Sequence, residues 1–387
     1  MIAIVCSTVF AVSETFITRH INELAPGRTV VVCFRRDNTE KLTCPTYIGD
    51  DVFSFMPWYR QELLKAWNLL RYSYTRVPSR READRICSFL LKHKVKAILA
   101  EYGHLGCMIQ PVAEKAGIPF FVYFRGDDAS WVLRLWQIRH SYRTLLPRAK
   151  GLICVSRFLA DNLRKIGLNH SNTHIIPSGV NVAKFTPKMN KDGKMVIAVG
   201  RFTEMKAPDQ TIRAFASIAA RHEGVSLEMI GDGPLLPGCQ KLAADLGIAD
   251  RVIFHGARGH DFVKDRMSAA SIFVQHSVTT RRGDTEGLPV AVQEAMASGL
   301  AVVSTRHAGI PEAVLEDKTG FLVDEHDVEG MSLFMDKLLS NPALIDDMGR
   351  AGRDRAVELF STFKSIPKIR RIMGLDCYQE VKDCAQD

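Results

Sequence analysis

The chain contains no run of about 18 consecutive apolar residues, so no segment has the length to cross a bilayer as a helix. It has no C-x-x-C pair either. Its nine cysteines are odd in number and scattered from Cys6 to Cys384, which argues against a disulfide framework and a zinc site and leaves reduced thiols, mostly filling cores. Short-period repeats and low-complexity tracts are absent. The start, Met1-Ile2-Ala3-Ile4-Val5-Cys6, lacks a basic flank and is too short an apolar run for a secretory signal, so a cytoplasmic location is expected. What is present is 387 residues, 46% hydrophobic and 24% charged, enough for two globular domains with a core each.

Charge is unevenly placed. The formal net charge is +8, but residues 1–182 hold 25 Lys and Arg against 14 Asp and Glu, a net +11, which leaves the remainder at −3. One bound phosphate needs only a few local cations. An excess spread over half the chain fits an extended anionic surface or, more blandly, a contribution to solubility.

Short β-branched runs alternate with helical patterns, the sequence form of βα units and parallel sheets. Expected strands are Ile2 to Cys6, Thr29 to Phe34, Ala97 to Ala100, Phe120 to Phe124 and Gly151 to Val155. A second series runs Met195 to Val199, Ser226 to Ile230, Val252 to Phe254, Ile272 to Val274 and Ala301 to Val303. Helices are expected over Glu14 to Leu24 and Arg80 to Lys92. The fold class is therefore α/β, with two Rossmann-like doubly wound domains. The expected division is 1–182 for the first, a polar Pro- and Gly-bearing linker at 183–193, 194–360 for the second, and a helical segment at 361–387 that packs back on the first. Ligands of such sheets bind beyond the carboxyl ends of the strands.

Glu286-Gly287-Leu288-Pro289 leads into a helix ending near Gly299, with Pro289 in its first turn and Glu294 inside it. The helix start offers unpaired N–H groups and partial positive charge, a place for a phosphate between two carboxylates. The bland alternative is a favourable charge at the helix start and a solvated glutamate. Gly200-Arg201 and Lys206 follow the first strand of the second series, where Arg and Lys fit a diphosphate; two solvated loop cations would read the same. Gly231-Asp232-Gly233-Pro234 begins like a dinucleotide fingerprint but continues Leu235-Leu236 without the third glycine. Its glycines fit close approach of a ligand or a plain turn. His255 fits the border of a base pocket or a satisfied structural role.

In order, Gly200-Arg201 with Lys206, Gly231-Asp232-Gly233-Pro234, Glu286 with Glu294 eight residues on, and Gly309-Ile310-Pro311-Glu312 resemble the C-terminal half of a family 4 retaining glycosyltransferase of the GT-B fold. Ser156-Arg157-Phe158, Gly167 and Pro177-Ser178-Gly179-Val180-Asn181 resemble that family's approach to its linker. Ser13-Glu14-Thr15-Phe16-Ile17 and Ala297-Ser298-Gly299-Leu300-Ala301 are similar to enzymes of bacterial exopolysaccharide assembly, of the colanic-acid type.

The resemblance implies two domains facing across a cleft, a nucleoside-diphosphate-sugar donor in the C-terminal one and an acceptor in the N-terminal one. It implies that Arg201 and Lys206 bind the donor diphosphate, Glu286 holds donor-sugar hydroxyls and Glu294 the ribose, with Gly231, Gly233, His255, Gly287, Leu288 and Pro289 lining the donor. No D-x-D sequence occurs, so no bridging metal and no cofactor are expected. The first loop reads Ser13-Glu14-Thr15 where many members have paired glycines, and Ser13 and Thr15 fit either a helix cap or a donor-phosphate contact. After the fourth strand, Arg125-Gly126-Asp127-Asp128 stands where many members have His-Gly-x-Asp. Arg125 cannot take a proton but can stabilise negative charge, and His104 is a candidate replacement for the missing histidine.

From Phe53 to Arg85, Phe55, Trp58, Tyr59, Trp67, Tyr72 and Tyr74 interleave with Arg60, Lys65, Arg71, Arg76, Arg80 and Arg81. That composition fits an anionic membrane or lipid-linked acceptor, stacking on single-stranded nucleic acid, or a helix packing its rings inward; no nucleic-acid motif accompanies it. The expected function is sugar transfer from a nucleotide sugar to a lipid-linked glycan in surface polysaccharide assembly, by an enzyme peripheral to the inner face of the membrane. Competing readings are an epimerase or phosphorylase of the same fold and a catalytically idle nucleotide-sugar-binding subunit.

Overall fold

The computed structural model describes residues 1–10, 14–35, 38–49, 58–188 and 193–375, with backbone only at 58, 59 and 72. The chain divides into two compact units. The first comprises Met1–Val155, Leu159–Ile176 and the stretch from Ser365; the second comprises Ser156–Phe158 and Pro177–Lys364. The polar stretch expected as a linker thus contributes its described part, 183–188 and 193, to the second unit.

In the first unit, β1 (Ile2–Cys6), β2 (Thr29–Cys33), β3 (Thr46–Ile48), β4 (Ala97–Glu101), β5 (Phe120–Phe124), β6 (Gly151–Cys154) and β7 (Thr173–Ile175) form a parallel sheet in the order β3-β2-β1-β4-β5-β6-β7. Every residue of β1, β2, β4 and β5 is buried, which is why these segments read as unbroken apolar runs and not as alternations. The helix Arg80–Lys92 starts where the Ser79 hydroxyl accepts from the Glu82 N–H at 3.2 Å. The helix Thr362–Ile372 carries Arg370, whose guanidinium donates to the carbonyls of Leu24 and Glu23 at 2.9 and 2.6 Å.

In the second unit, β8 (Met195–Val199), β9 (Ser226–Ile230), β10 (Val252–Gly256), β11 (Ile272–Gln275), β12 (Ala301–Thr305) and β13 (Gly320–Val323) take the order β10-β9-β8-β11-β12-β13. Its core gathers Val196, Leu227, Ile272 and Val303 from the sheet with Ile212, Phe215 and Ile218 from one face of the helix Pro208–Ala219. Both sheets are doubly wound, with the reversal of strand order between β1 and β4 in one and between β8 and β11 in the other. Of the seven cysteines described as free thiols, six are buried.

Three strands escaped the sequence pattern. The edge strands β3 and β7 are three residues each, with Thr-Tyr-Ile and Thr-His-Ile half exposed, and β13 opens on a glycine. No helix among the described residues is long and apolar enough to cross a membrane.

Candidate functional site

In the second unit the crevice beyond the carboxyl ends of β8 and β11 is the expected ligand position of a doubly wound sheet. The loop after β8 carries Arg201, exposed, and Lys206, half-buried. The loop after β11 carries Glu286. The two loops meet there: Lys206 Nζ lies 2.6 Å from Glu286 Oε1, with side chains 14% and 10% exposed. A shallow pocket open to solvent is lined by Gly200, Arg201, Lys206 and Gln275 among others.

Glu286 is held from behind. Its N–H donates to His307 Nε2 at 3.0 Å, so that nitrogen is the unprotonated one and the ring proton sits on Nδ1, 2.6 Å from Glu325 Oε1. Burial works to raise the Glu325 carboxyl, but bonds from His307 and from the Thr279 N–H leave it below its ordinary range. The Ser277 hydroxyl donates to Glu286 Oε1 at 3.4 Å. His307 was not singled out from sequence; the only signal is a buried polar residue just past β12.

The remaining donor-side expectations divide. Pro289 stands before the helix Val290–Ala297 and not in its first turn, its ψ of 127° being extended. Gly287, Leu288 and Pro289 are buried. A Cβ at Gly309 would stand 2.1 Å from the Gly287 carbonyl oxygen, so Gly309 lets that segment close. Gly231 and Gly233, at φ of 146° and 151°, allow a close approach between two loops: a Cβ would lie 1.9 Å from the Gly200 oxygen and 2.6 Å from the Phe202 oxygen. Their backbone packs on the loop that bears Arg201. Glu294 is 6% exposed and not solvated; its Oε1 is 2.9 Å from His260 Nε2. His255 Nε2 meets Glu228 Oε2 at 2.9 Å, and Arg266 bonds the same carboxylate, so His255 is satisfied within the fold. Glu312 accepts from the N–H groups of Arg157 and Phe158 at 2.8 and 2.9 Å.

At the matching position of the first unit, between β1 and β4, Glu14 is bonded by the Tyr102 hydroxyl at 2.6 Å and the Thr8 hydroxyl at 3.0 Å. Ser13 lies outside the described residues. Thr15 is the first residue of the helix Thr15–Glu23, and Glu14 precedes it without a side-chain cap. Capping by Thr15 is therefore not how this helix begins. Tyr102 adopts φ 94°, rare for a residue with a side chain, and is pinned by that hydroxyl and by its N–H to the Tyr123 carbonyl at 2.9 Å. Gly103 follows because a Cβ there would stand 2.4 Å from both the Phe124 ring and the Tyr142 hydroxyl.

Arg125 is buried, so the expected stabilisation of charge on a ligand is not what its geometry offers. Its Nε and Nη2 reach Glu101 Oε2 at 3.1 and 2.6 Å, and its guanidinium lies 3.7 Å from the ring centres of both Phe16 and Tyr123. Glu101 is bonded on its other oxygen by His20. Burial works to raise the Glu101 carboxyl, yet Arg125 and His20 hold it at about 2. Asp128 ties the β4 and β5 loops together, accepting from the N–H groups of Gly103, Arg125 and Gly126 at 2.9 Å each. Burial and the neighbouring Asp127 carboxylate still push it up to about 6. His104, in the first turn of the helix Gly103–Ala116, stacks on Tyr102 at 5.7 Å, and burial with nearby Arg76 holds it down to about 4. It is thus neutral at physiological pH.

Two family models match in succession: "Glycosyltransferase Family 4" over residues 13–184 and "Glycosyl transferases group 1" over 181–355. Among curated proteins, the chain is 28% identical over 295 residues to the GDP-mannose-dependent alpha-(1-6)-phosphatidylinositol monomannoside mannosyltransferase of Mycolicibacterium smegmatis, covering 73% of this chain and 77% of that protein. It is 26% identical over 280 residues to the amylovoran biosynthesis glycosyltransferase AmsK of Erwinia amylovora, covering 71% and 69%. Among solved structures, Anabaena HepE in complex with UDP superposes with a TM-score of 0.78 at 16% identity, over 97% of this chain and 100% of that one.

Proposed function

Because the chain belongs to the family 4 glycosyltransferases of the GT-B fold, we propose that it moves a sugar from a nucleoside-diphosphate donor to a lipid-linked glycan, with retention of configuration, in cell-surface polysaccharide assembly at the inner face of the membrane. The observation that carries this reading is the Lys206–Glu286 pair at the strand-order reversal of the second unit. A lysine beside a carboxylate, with Arg201 on the same edge, offers cations to a diphosphate and an acceptor to sugar hydroxyls. In the proposed step the acceptor hydroxyl oxygen bonds to the anomeric carbon on the face from which the diphosphate departs. The C–O bond to the phosphate breaks with its electron pair on the leaving group, and the hydroxyl proton passes to a phosphate oxygen.

Charge on the leaving group is met by Arg201, Lys206 and the start of the helix Val290–Ala297, with no metal required. Glu294, fixed by His260, is the proposed ribose holder. The relatives support different donors: GDP-mannose for the mycobacterial mannosyltransferase and UDP in the HepE complex. AmsK, named for amylovoran biosynthesis, supports a polysaccharide setting. Thermal stabilisation of the purified protein across UDP-, GDP-, ADP- and dTDP-sugars tests the donor, since a ligand bound only by the folded state raises the midpoint. Stabilisation by one base, with donor-dependent transfer or slow donor hydrolysis, is expected. Absence of any donor effect, with Glu286→Gln and Lys206→Ala leaving polysaccharide output unchanged, sinks the reading.

A further inference from the structure

The helix Trp58–Tyr72 turns its apolar side outward. At about 100° per residue, Leu63, Trp67 and Leu70 fall within about 60° of arc, and they are 70%, 50% and 88% exposed. On the other side, Asn68 is only 4% exposed and its amide donates to the Thr75 carbonyl at 3.1 Å. Of the rings named from sequence, Trp67 is half exposed on this stripe, whereas Tyr74, just past the helix, is 3% exposed and packs inward. Arg60 and Arg71 are exposed beside the stripe, and the Arg71 guanidinium lies 5.4 Å from the Trp67 ring centre. Arg76, Arg80 and Arg81, which follow the helix, are exposed as well. The stripe therefore sits in the half of the chain with the net +11.

We propose that this helix lies in the surface of an anionic bilayer, with Leu63, Trp67 and Leu70 among the acyl chains and Arg60 and Arg71 at the headgroup phosphates. Apolar side chains edged by arginines, with an indole between them, match the depth profile of such an interface: hydrocarbon, then ring-compatible headgroups, then anions. A protein partner would have to bury the stripe against the same cluster of cations, which complementarity to anionic lipid explains without further assumption. The proposal rests on the reading of a membrane-bound acceptor and names the element that would bring the enzyme to it.

The test uses the full chain and vesicles of phosphatidylcholine with and without phosphatidylglycerol, read by co-sedimentation and Trp fluorescence. The intact protein is expected to bind the anionic vesicles, less so at raised salt. Leu63→Ser with Trp67→Ser and Leu70→Ser is expected to weaken binding by about tenfold or more, and Arg60→Gln with Arg71→Gln by about fivefold per cation. Nucleotide-dependent thermal stabilisation should stay unchanged in both. Leu70→Ser alone, at the most exposed position, gives a second readout should the triple variant misfold. Equal binding by intact and triple-variant protein overturns the role of this helix while leaving a lipid acceptor tenable. Failure of the intact protein to bind either vesicle overturns both. A dimer of the intact chain that the triple variant dissolves, or single-stranded RNA captured in place of vesicles, overturns the lipid assignment.

Discussion

The two sheets share one topology and fill the same position in opposite ways. Between β1 and β4 of the first unit, charge is turned inward: Glu101 is paired with Arg125 and bonded by His20, whose ring burial keeps towards its neutral form, and both members of the ion pair are buried. Between β8 and β11 of the second, Lys206, which lines an open pocket together with the exposed Arg201, pairs with Glu286. A buried ion network fixes loop geometry and is costly to break. A pair whose lysine lines an open pocket is exchangeable, because an incoming anion can take the lysine and hydroxyls can take the carboxylate. Rigid wall and reactive edge are thus made from the same strand order by the depth at which charges are placed.

The largest effect expected is on activity in the second unit. Glu286→Gln and Lys206→Ala should each lower kcat/KM by about 100-fold or more, in the range of a lost preorganised electrostatic group, with little change in the unfolding midpoint. A fall in activity that merely tracks a loss of folded protein would break the contrast. The reverse outcome is expected in the first unit. Arg125→Ala leaves Glu101 buried with its ion-pair partner gone and only His20 bonded to it, and should cost about 3 kcal/mol in urea unfolding, while activity per folded molecule falls far less than in Glu286→Gln.

Acid unfolding sharpens the same point. Glu101 is held at about 2 against an ordinary 4.5. Its folded value lies below its unfolded one, so its contribution is present in full above about pH 4.5 and is lost as the pH falls towards 2. Stability measured between those limits should drop steeply for the intact protein and less steeply for Glu101→Gln. Identical slopes would show that the pair is not what the first unit relies on.

Much of this was legible in the sequence, and the parts that were not have physical reasons. The long buried strands announce themselves as apolar runs, and the order Arg201, Lys206, Glu286, Glu294 carried the family resemblance. Edge strands of three residues have too few side chains to show a period. The sequence displayed Arg125 but not its partner, because Glu101 is 24 residues earlier at the end of the neighbouring strand and only parallel pairing brings them together. His307 was invisible for a similar cause: it acts on the backbone of Glu286, 21 residues away, through a tautomer that Glu325 selects. Helix Trp58–Tyr72 showed its composition but not which face is outward, since that depends on what lies beneath it.

The smallest effects separate residues that support the site from residues that resemble site residues. His307→Ala removes the acceptor of the Glu286 N–H and should lower kcat by about threefold to tenfold, from loosening by one hydrogen bond of about 1 kcal/mol; His307→Gln, which can still offer an oxygen, should recover part of it. His255 carries no such link to Glu286. Its ring is held by Glu228 at 2.9 Å, and the carboxylate it leaves would keep Arg266. His255→Ala should therefore change donor affinity less than twofold while lowering the melting point slightly. A large loss of nucleotide binding in His255→Ala would instead return that histidine to the donor site and move the reactive edge outward from β8 and β11 towards β10.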